Sequence, residues 1–174
     1  TPLTLDGGGG VNTLDYSAYT AGVTVDLMAG TATGTTGVTG IQNVIGGSVA
    51  DLLTGDAKAN ILTGGGGNDT LSGGPGDDTY VLTPDSGTDT IVEEAGEGSD
   101  TIDYSAYTTG LTVDLSARTA PGASGVTGIE NVIGGSGADT LTGSAGANVL
   151  AGGPGDDVYI LKANGGIDTI VCPR

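Results

Sequence analysis

The stretch that most constrains this chain is Gly64 to Val81, which reads GGGGNDTLS followed at once by GGPGDDTYV. Each nine-residue half places glycine first, second and fourth, aspartate sixth (Asp69, Asp78) and a large apolar or aromatic residue eighth (Leu71, Tyr80). The first six positions are turn chemistry, because glycine alone takes positive φ or close backbone approach without a Cβ penalty. The last three, with one inward residue between two small or polar neighbours, make a minimal β-strand. A unit of this size cannot bury its own apolar side chain, so it is stable only where copies stack.

Further copies surround the pair. From Gly46 the period runs unbroken through GGSVADLLT, GDAKANILT, GGGGNDTLS and GGPGDDTYV to Val81. An isolated copy, GGGGVNTLD, spans Gly7 to Asp15, and two looser ones, PDSGTDTIV and AGEGSDTID, span Pro84 to Val92 and Ala95 to Asp103. The chain then starts again: DYSAY at 15 recurs at 103, TVDL at 24 recurs at 112 and GVTGI at 37 recurs at 125, each 88 residues on. GGPGDD at 73 recurs at 152, only 79 residues on, because the second array holds three copies (134–142, 143–151, 152–160) where the first holds four. The shortfall is one whole nine-residue unit, which marks that unit as a structural module. A loose copy, ANGGIDTIV, follows at Ala163 to Val171. Ser17 to Ile45 reads as a segment off the period. It carries two alternating strand-like pieces, VTVDL (Val23 to Leu27) and IQNVI (Ile41 to Ile45), about a Gly/Thr-rich loop.

The expected fold is therefore all-β: a two-sheet parallel solenoid of roughly fifteen short strands with no significant helix. It spans 1–174 as one unit made of two related halves, 12–99 and 100–174, with regular arrays at 46–81 and 134–160. One motif is half a coil. The missing unit should therefore move everything after Ala151 to the opposite sheet, so that Tyr159 lies on the face that Tyr80 does not occupy.

Composition says what such a stack needs. The 36 glycines among 174 residues, with no Phe or Trp, argue against a conventional globular core, and glycine-rich chains without a strict repeat are commonly disordered. Acidic residues outnumber basic ones 21 to 4, for a net charge of −17, and there is no histidine. This balance repels nucleic acid and offers no basic patch to anionic lipid. No run of about 18 apolar residues marks a transmembrane helix. No signal-peptide pattern opens the chain, and Thr1 is read as processing or truncation. Cys172 has no partner for an internal disulfide, and its role is open.

In a two-sheet stack, turn n lies over turn n+2. Asp51 then stands over Asp69, Asn60 over Asp78, Asp139 over Asp157 and Asn148 over Asp168. Asp69 is shared onward with Asp89, and Asp78 with Asp100, on opposite edges. Stacked carboxylates repel at about 4 kcal/mol per pair for an effective dielectric near 20, so a cation must sit between them. Oxygen-rich sites without histidine select a hard ion, Ca²⁺, which takes six to eight oxygens and mixes carboxylates with backbone carbonyls.

GGGGNDTLS and GGPGDDTYV resemble the RTX calcium-binding nonapeptide, GGxGxDxUx. The resemblance implies a right-handed parallel β-roll whose turns n and n+2 clamp Ca²⁺. The ligands it implies are the second- and fourth-position carbonyls (Gly47, Val49, Gly65, Gly67, Gly74, Gly76, Gly135, Gly137, Gly146, Gly153, Gly155) and ten sixth-position side chains. These are Asp51, Asn60, Asp69, Asp78, Asp89, Asp100, Asp139, Asn148, Asp157 and Asp168. Val49 and Lys58 replace the fourth-position glycine, and a carbonyl survives both changes. Asn60 and Asn148 offer only a neutral oxygen, so their sites are expected to be weak or empty, with Asp56 compensating for the first. About four to six ions are expected; six would cancel twelve of the seventeen negative charges.

Other polar groups receive plainer readings. Asp77, Asp156, Asp26 and Asp114 are expected on the solvated surface, and Glu93, Glu94 and Glu97 in a solvated acidic loop. Tyr80 and Tyr159 are expected as core plugs, and Tyr16, Tyr19, Tyr104 and Tyr107 as packing where the regular coil is interrupted. With no histidine and no surplus carboxylate cluster, the chain is not expected to be an enzyme. The resemblance implies a structural module of a secreted bacterial protein of adhesin, haemolysin-like or exoenzyme type. Such a protein would be exported by type I secretion and fold on Ca²⁺ outside the cell or at its surface. The alternative is a subunit of an extracellular filament or surface layer, self-associating end to end through unpaired strand edges.

Overall fold

A computed structural model describes residues 3–94, 96–163 and 165–172. Ala95 and Asn164, which belong to two of the looser copies, lie outside the described residues, as do Thr1, Pro2, Pro173 and Arg174. Nineteen strands follow in order: β1 (Thr4–Asp6), β2 (Thr13–Asp15), β3 (Thr24–Asp26), β4 (Thr31–Ala32), β5 (Gly37–Thr39), β6 (Asn43–Ile45), β7 (Leu52–Thr54), β8 (Ile61–Thr63), β9 (Thr70–Ser72), β10 (Thr79–Val81), β11 (Asp89–Val92), β12 (Asp100–Asp103), β13 (Thr112–Asp114), β14 (Ala123–Ser124), β15 (Ile129–Ile133), β16 (Thr140–Thr142), β17 (Val149–Ala151), β18 (Val158–Ile160) and β19 (Thr169–Val171). No helix occurs among the described residues.

Successive motifs alternate between two faces. One face is a single eight-stranded sheet, β19-β17-β15-β12-β10-β8-β6-β2, and the other is split into sheets of six (β14-β11-β9-β7-β3-β4), three (β13-β16-β18) and two strands (β1-β5). The pairings are parallel apart from β3 with β4. The fold is a parallel β-roll. Its strand count exceeds the expected fifteen by β1, β4, β5 and β14, short pieces of two or three residues outside the regular arrays.

The eighth-position residues form the core. In the eight-stranded sheet Leu14, Val44, Leu62, Tyr80, Ile102, Val132, Leu150 and Ile170 stand in register, one per coil. Val25, Leu53, Leu71 and Ile91 form the facing column of the first half, and Val113, Leu141 and Tyr159 that of the second. Most are fully buried, and each large apolar side chain so buried contributes about 1.5–3 kcal/mol. Tyr80 belongs to the eight-stranded sheet and Tyr159 to the three-stranded one, on opposite faces, as the loss of half a coil requires.

Two loops interrupt the coil, and tyrosines fasten both. Tyr16 packs edge-on against Tyr19 with centroids 4.9 Å apart, and Tyr104 against Tyr107 at 5.2 Å. The Tyr16 hydroxyl donates to the Thr33 carbonyl and that of Tyr104 to the Pro121 carbonyl, both at 2.7 Å. These rings tie each loop to the stack, the packing role expected for them. Part of the first loop segment is in phase after all. GVTGIQNVI (37–45) abuts the array at Gly46, and GVTGIENVI (125–133) abuts the one at Gly134, each with glycine first and fourth and an apolar residue eighth. Val44 and Val132 sit in the core column as those eighth residues.

Candidate calcium-binding turns

Each crossing between faces places its sixth-position side chain beneath the same position of the preceding coil. On one edge the Asp51 N–H donates to Asp69 Oδ1 (2.8 Å) and the Asp69 N–H to Asp89 Oδ1 (3.0 Å). On the other, Asn60 N–H donates to Asp78 Oδ1 (2.7 Å) and Asp78 N–H to Asp100 Oδ1 (2.9 Å). The second half repeats the pattern: Asp139 N–H to Asp157 Oδ1 and Asn148 N–H to Asp168 Oδ1, both at 3.0 Å. The structure thus brings together every stacked pair named from the sequence, with Asp69 and Asp78 on separate columns.

Two column members were hidden in the in-phase copies. Gln42 Oε1 accepts the Asn12 N–H (2.9 Å), and Glu130 Oε2 accepts the Asp100 N–H (3.0 Å). With them the column on the eight-stranded side is continuous from Asn12 to Asp168. It bridges spacings of 18 to 30 residues between successive members.

The turns fall into two classes. In 46–51, 55–60, 134–139 and 143–148 the second-position N–H (Gly47, Asp56, Gly135, Ser144) donates to an oxygen of the turn's own sixth residue. No second- or fourth-position residue in these closed turns is left-handed, which is why Val49 and Lys58 are tolerated there. In 64–69, 73–78, 84–89 and 152–157 the second and fourth residues are both left-handed: Gly65 and Gly67 at φ 92° and 124°, Gly74 and Gly76 at 85° and 136°, Asp85 and Gly87 at 68° and 98°, Gly153 and Gly155 at 82° and 149°. These are open turns, without that internal bond. In two closed turns Ser48 and Ser136 donate their N–H to the Tyr19 and Tyr107 carbonyls of the tyrosine loops (3.0 and 2.9 Å).

The classes differ in what their carboxylates lack. Asp51 and Asp139 have both oxygens engaged. Asn60 and Asn148 donate to the Gln42 and Glu130 carbonyls (2.9 and 2.8 Å) and accept from their own turns. By contrast, Oδ2 of Asp69, Asp78 and Asp89, in three of the open turns, is buried with no hydrogen-bond partner, as is that of Asp100 in the copy that follows, in residues only 1% exposed. A buried charged oxygen left unpaired costs several kcal/mol. The first-position glycine belongs to the same geometry, since a Cβ on Gly64 would lie 2.1 Å from Asp69 Oδ2.

Burial pushes the Asp69 and Asp78 carboxyls up to about 6 and raises those of Asp89 and Asp100, with neighbouring carboxylates adding to the push on Asp69, Asp78 and Asp100. A hard cation relieves this, because Ca²⁺ supplies charge and accepts six to eight oxygens without fixed geometry. Among the implied carbonyl ligands, that of Gly47 already accepts the Gly66 N–H at 2.9 Å. Asp56 is not free to compensate for Asn60: its carboxylate pairs with Lys58 Nζ at 3.2 Å and accepts the Lys58 N–H. Asp77 and Asp156 are exposed, as expected. Glu93 is not: it is 8% exposed, accepts the Tyr80 hydroxyl, and burial pushes its carboxyl up to about 7. It stands in a two-residue insertion after β11 that turns it inward, whereas Glu94 and Glu97 are solvated.

A parallel roll whose crossings stack acidic oxygens in register, some of them unpaired, is a calcium-binding β-roll. The RTX calcium-binding nonapeptide repeat (four copies) matches residues 45–80 and again 124–159, so these two segments carry that repeat. The second match begins ahead of Gly125 and so takes in the copy that carries Glu130. A search of curated proteins finds no match to the chain.

Proposed function

We propose that this chain is the calcium-dependent folding and structural module of a secreted bacterial protein, expanded at low calcium and ordered once outside the cell. The observation that carries the reading is the set of four buried Oδ2 atoms, on Asp69, Asp78, Asp89 and Asp100, that no protein donor reaches. Without a cation these charges oppose folding, so metal binding supplies folding free energy directly. About four to six ions are proposed for the whole roll. They are held by the sixth-position side chains with second- and fourth-position carbonyls, most firmly at the open turns and least at Asn60 and Asn148.

The test is a calcium titration of the chain, from EDTA to millimolar Ca²⁺, followed by far-ultraviolet circular dichroism and by sizing. The expected result is conversion of an expanded coil to a compact β-structure, monodisperse at the end point. Unchanged β-signal in EDTA would overturn the proposal. Fibres on calcium addition would favour the end-to-end filament instead.

A further inference from the structure

We propose that Asp78, Glu93 and Asp100 form a calcium site completed by a carboxylate that the nonapeptide does not supply. The inference rests on the reading that sixth-position aspartates hold calcium, and adds Glu93 as a ligand. One oxygen from each of the three residues lies within 4.8 Å of the others, and the three are 1%, 8% and 1% exposed. Their remaining oxygens are committed: Asp78 Oδ1 to the Asn60 N–H, Asp100 Oδ1 to the Asp78 N–H, and Glu93 Oε1 to the Tyr80 hydroxyl. Asp78 Oδ2, Glu93 Oε2 and Asp100 Oδ2 have no partner at all. Three buried carboxylates that converge to within 4.8 Å, each keeping one oxygen that no donor reaches, fit a hard divalent cation better than a hydrogen-bond network.

Tyr80 sets the position of the third carboxylate. Its hydroxyl accepts the Gly73 N–H at 2.7 Å and donates to Glu93, so the side chain is held at both ends of its only polar atom. The leucines at the equivalent position of neighbouring copies, Leu62 and Leu71, have no such handle. The molecule also contains its own counter-example. Tyr159 follows Tyr80 by 79 residues and Cys172 follows Glu93 by the same 79. Tyr159 likewise accepts the first-position N–H of its motif, Gly152, at 3.0 Å. The second half thus keeps the tyrosine and has an exposed thiol where the first has the buried carboxylate, so the three-carboxylate site belongs to the first half alone.

The test is the calcium stoichiometry and affinity of the intact chain by isothermal titration calorimetry, with terbium luminescence excited through tyrosine as a second readout. The Glu93→Gln variant should bind one ion fewer, or bind one ion about tenfold or more weakly, with tyrosine-sensitised terbium emission reduced. Tyr80→Phe, which keeps the ring and removes the hydroxyl, should weaken the same ion by less. If Glu93→Gln fails to fold with calcium, unchanged binding by Tyr80→Phe overturns the site and weakened binding supports it. Wild-type stoichiometry and affinity in Glu93→Gln would overturn the Glu93 site while leaving calcium binding by the aspartates standing. No calcium binding by the wild-type chain would overturn both.

Discussion

The turns at 46–51 and 64–69 lie one coil apart on the same edge. They share glycine at the first and second positions and aspartate at the sixth, yet they treat that aspartate differently. In the first, the Gly47 N–H satisfies Asp51 Oδ2; in the second, Gly65 and Gly67 are left-handed and Asp69 Oδ2 is buried without a donor. The fourth residue separates them, because Val49 cannot take the left-handed φ of 124° that Gly67 adopts. The closed turn is electrically complete within the protein, whereas the open turn at 64–69 is complete only with a cation. Glycine at the fourth position is thus a permit for metal dependence as well as a permit for tight backbone.

The largest expected effect comes from removing a charge at each turn. Asp69→Asn should cost about 3–5 kcal/mol of stability in calcium, the loss expected for breaking a buried ion pair. Asp51→Asn should shift the calcium midpoint of folding much less. Calcium titrations of both variants, with urea unfolding at saturating calcium, check this, and equal losses would erase the distinction between the classes.

Backbone substitutions come next. Gly67→Ala places a Cβ 2.6 Å from the Val49 carbonyl carbon and the Ala50 nitrogen at a left-handed φ, and should cost about 1–3 kcal/mol. Gly146→Ala, at ordinary φ and with only Ser144 Oγ nearby at 3.6 Å, should be neutral or stabilising by about 0.4–1 kcal/mol. Thermal melts in calcium distinguish the two.

A pH effect follows. The Asp69 and Asp78 carboxyls are raised from 3.8 to about 6 in the fold, so the folded chain holds protons that the unfolded chain releases. Without calcium this linkage favours the fold most below about pH 4 and is lost as pH rises through 6, so acid should restore part of the β-structure that neutral EDTA removes. With calcium the order inverts, since protons compete with the ion, and affinity should fall as pH drops from 7 to 5. Circular dichroism in EDTA and calcium titrations across that window test the sign. The smallest effect is expected of Val49→Gly, which permits the closed turn to open: calcium affinity should rise slightly by calorimetry, the gain being offset by about 0.5–1 kcal/mol of glycine's backbone entropy.

The repeat was legible because its period equals half a coil, so counting residues alone places Tyr159 opposite Tyr80. The column of sixth-position aspartates was legible for the same reason. Gln42 and Glu130 were hidden because IQNVI and IENVI read as strands, and the glycines at 37, 40, 125 and 128 that complete the motif lie upstream of the apolar run. Glu93 was hidden because its partners, Tyr80, Asp78 and Asp100, meet it only after the coil closes. Strands such as β4 and β14 carry no apolar alternation, and their pairing depends on the loops that the tyrosines fasten. Nor do residue types alone divide open turns from closed ones: Gly135 and Gly137 permit an open turn but form a closed one against the Tyr107 loop.

Anomalous scattering from crystals grown in calcium, collected at a wavelength where calcium scatters strongly, tests most directly whether open turns are the ones that need the ion. The strongest peaks are expected between Asp69 and Asp89 and between Asp78 and Asp100, and the weakest density at Asn60 and Asn148. Peaks of equal height at the closed turns, or none at Asp69 and Asp78, would contradict it.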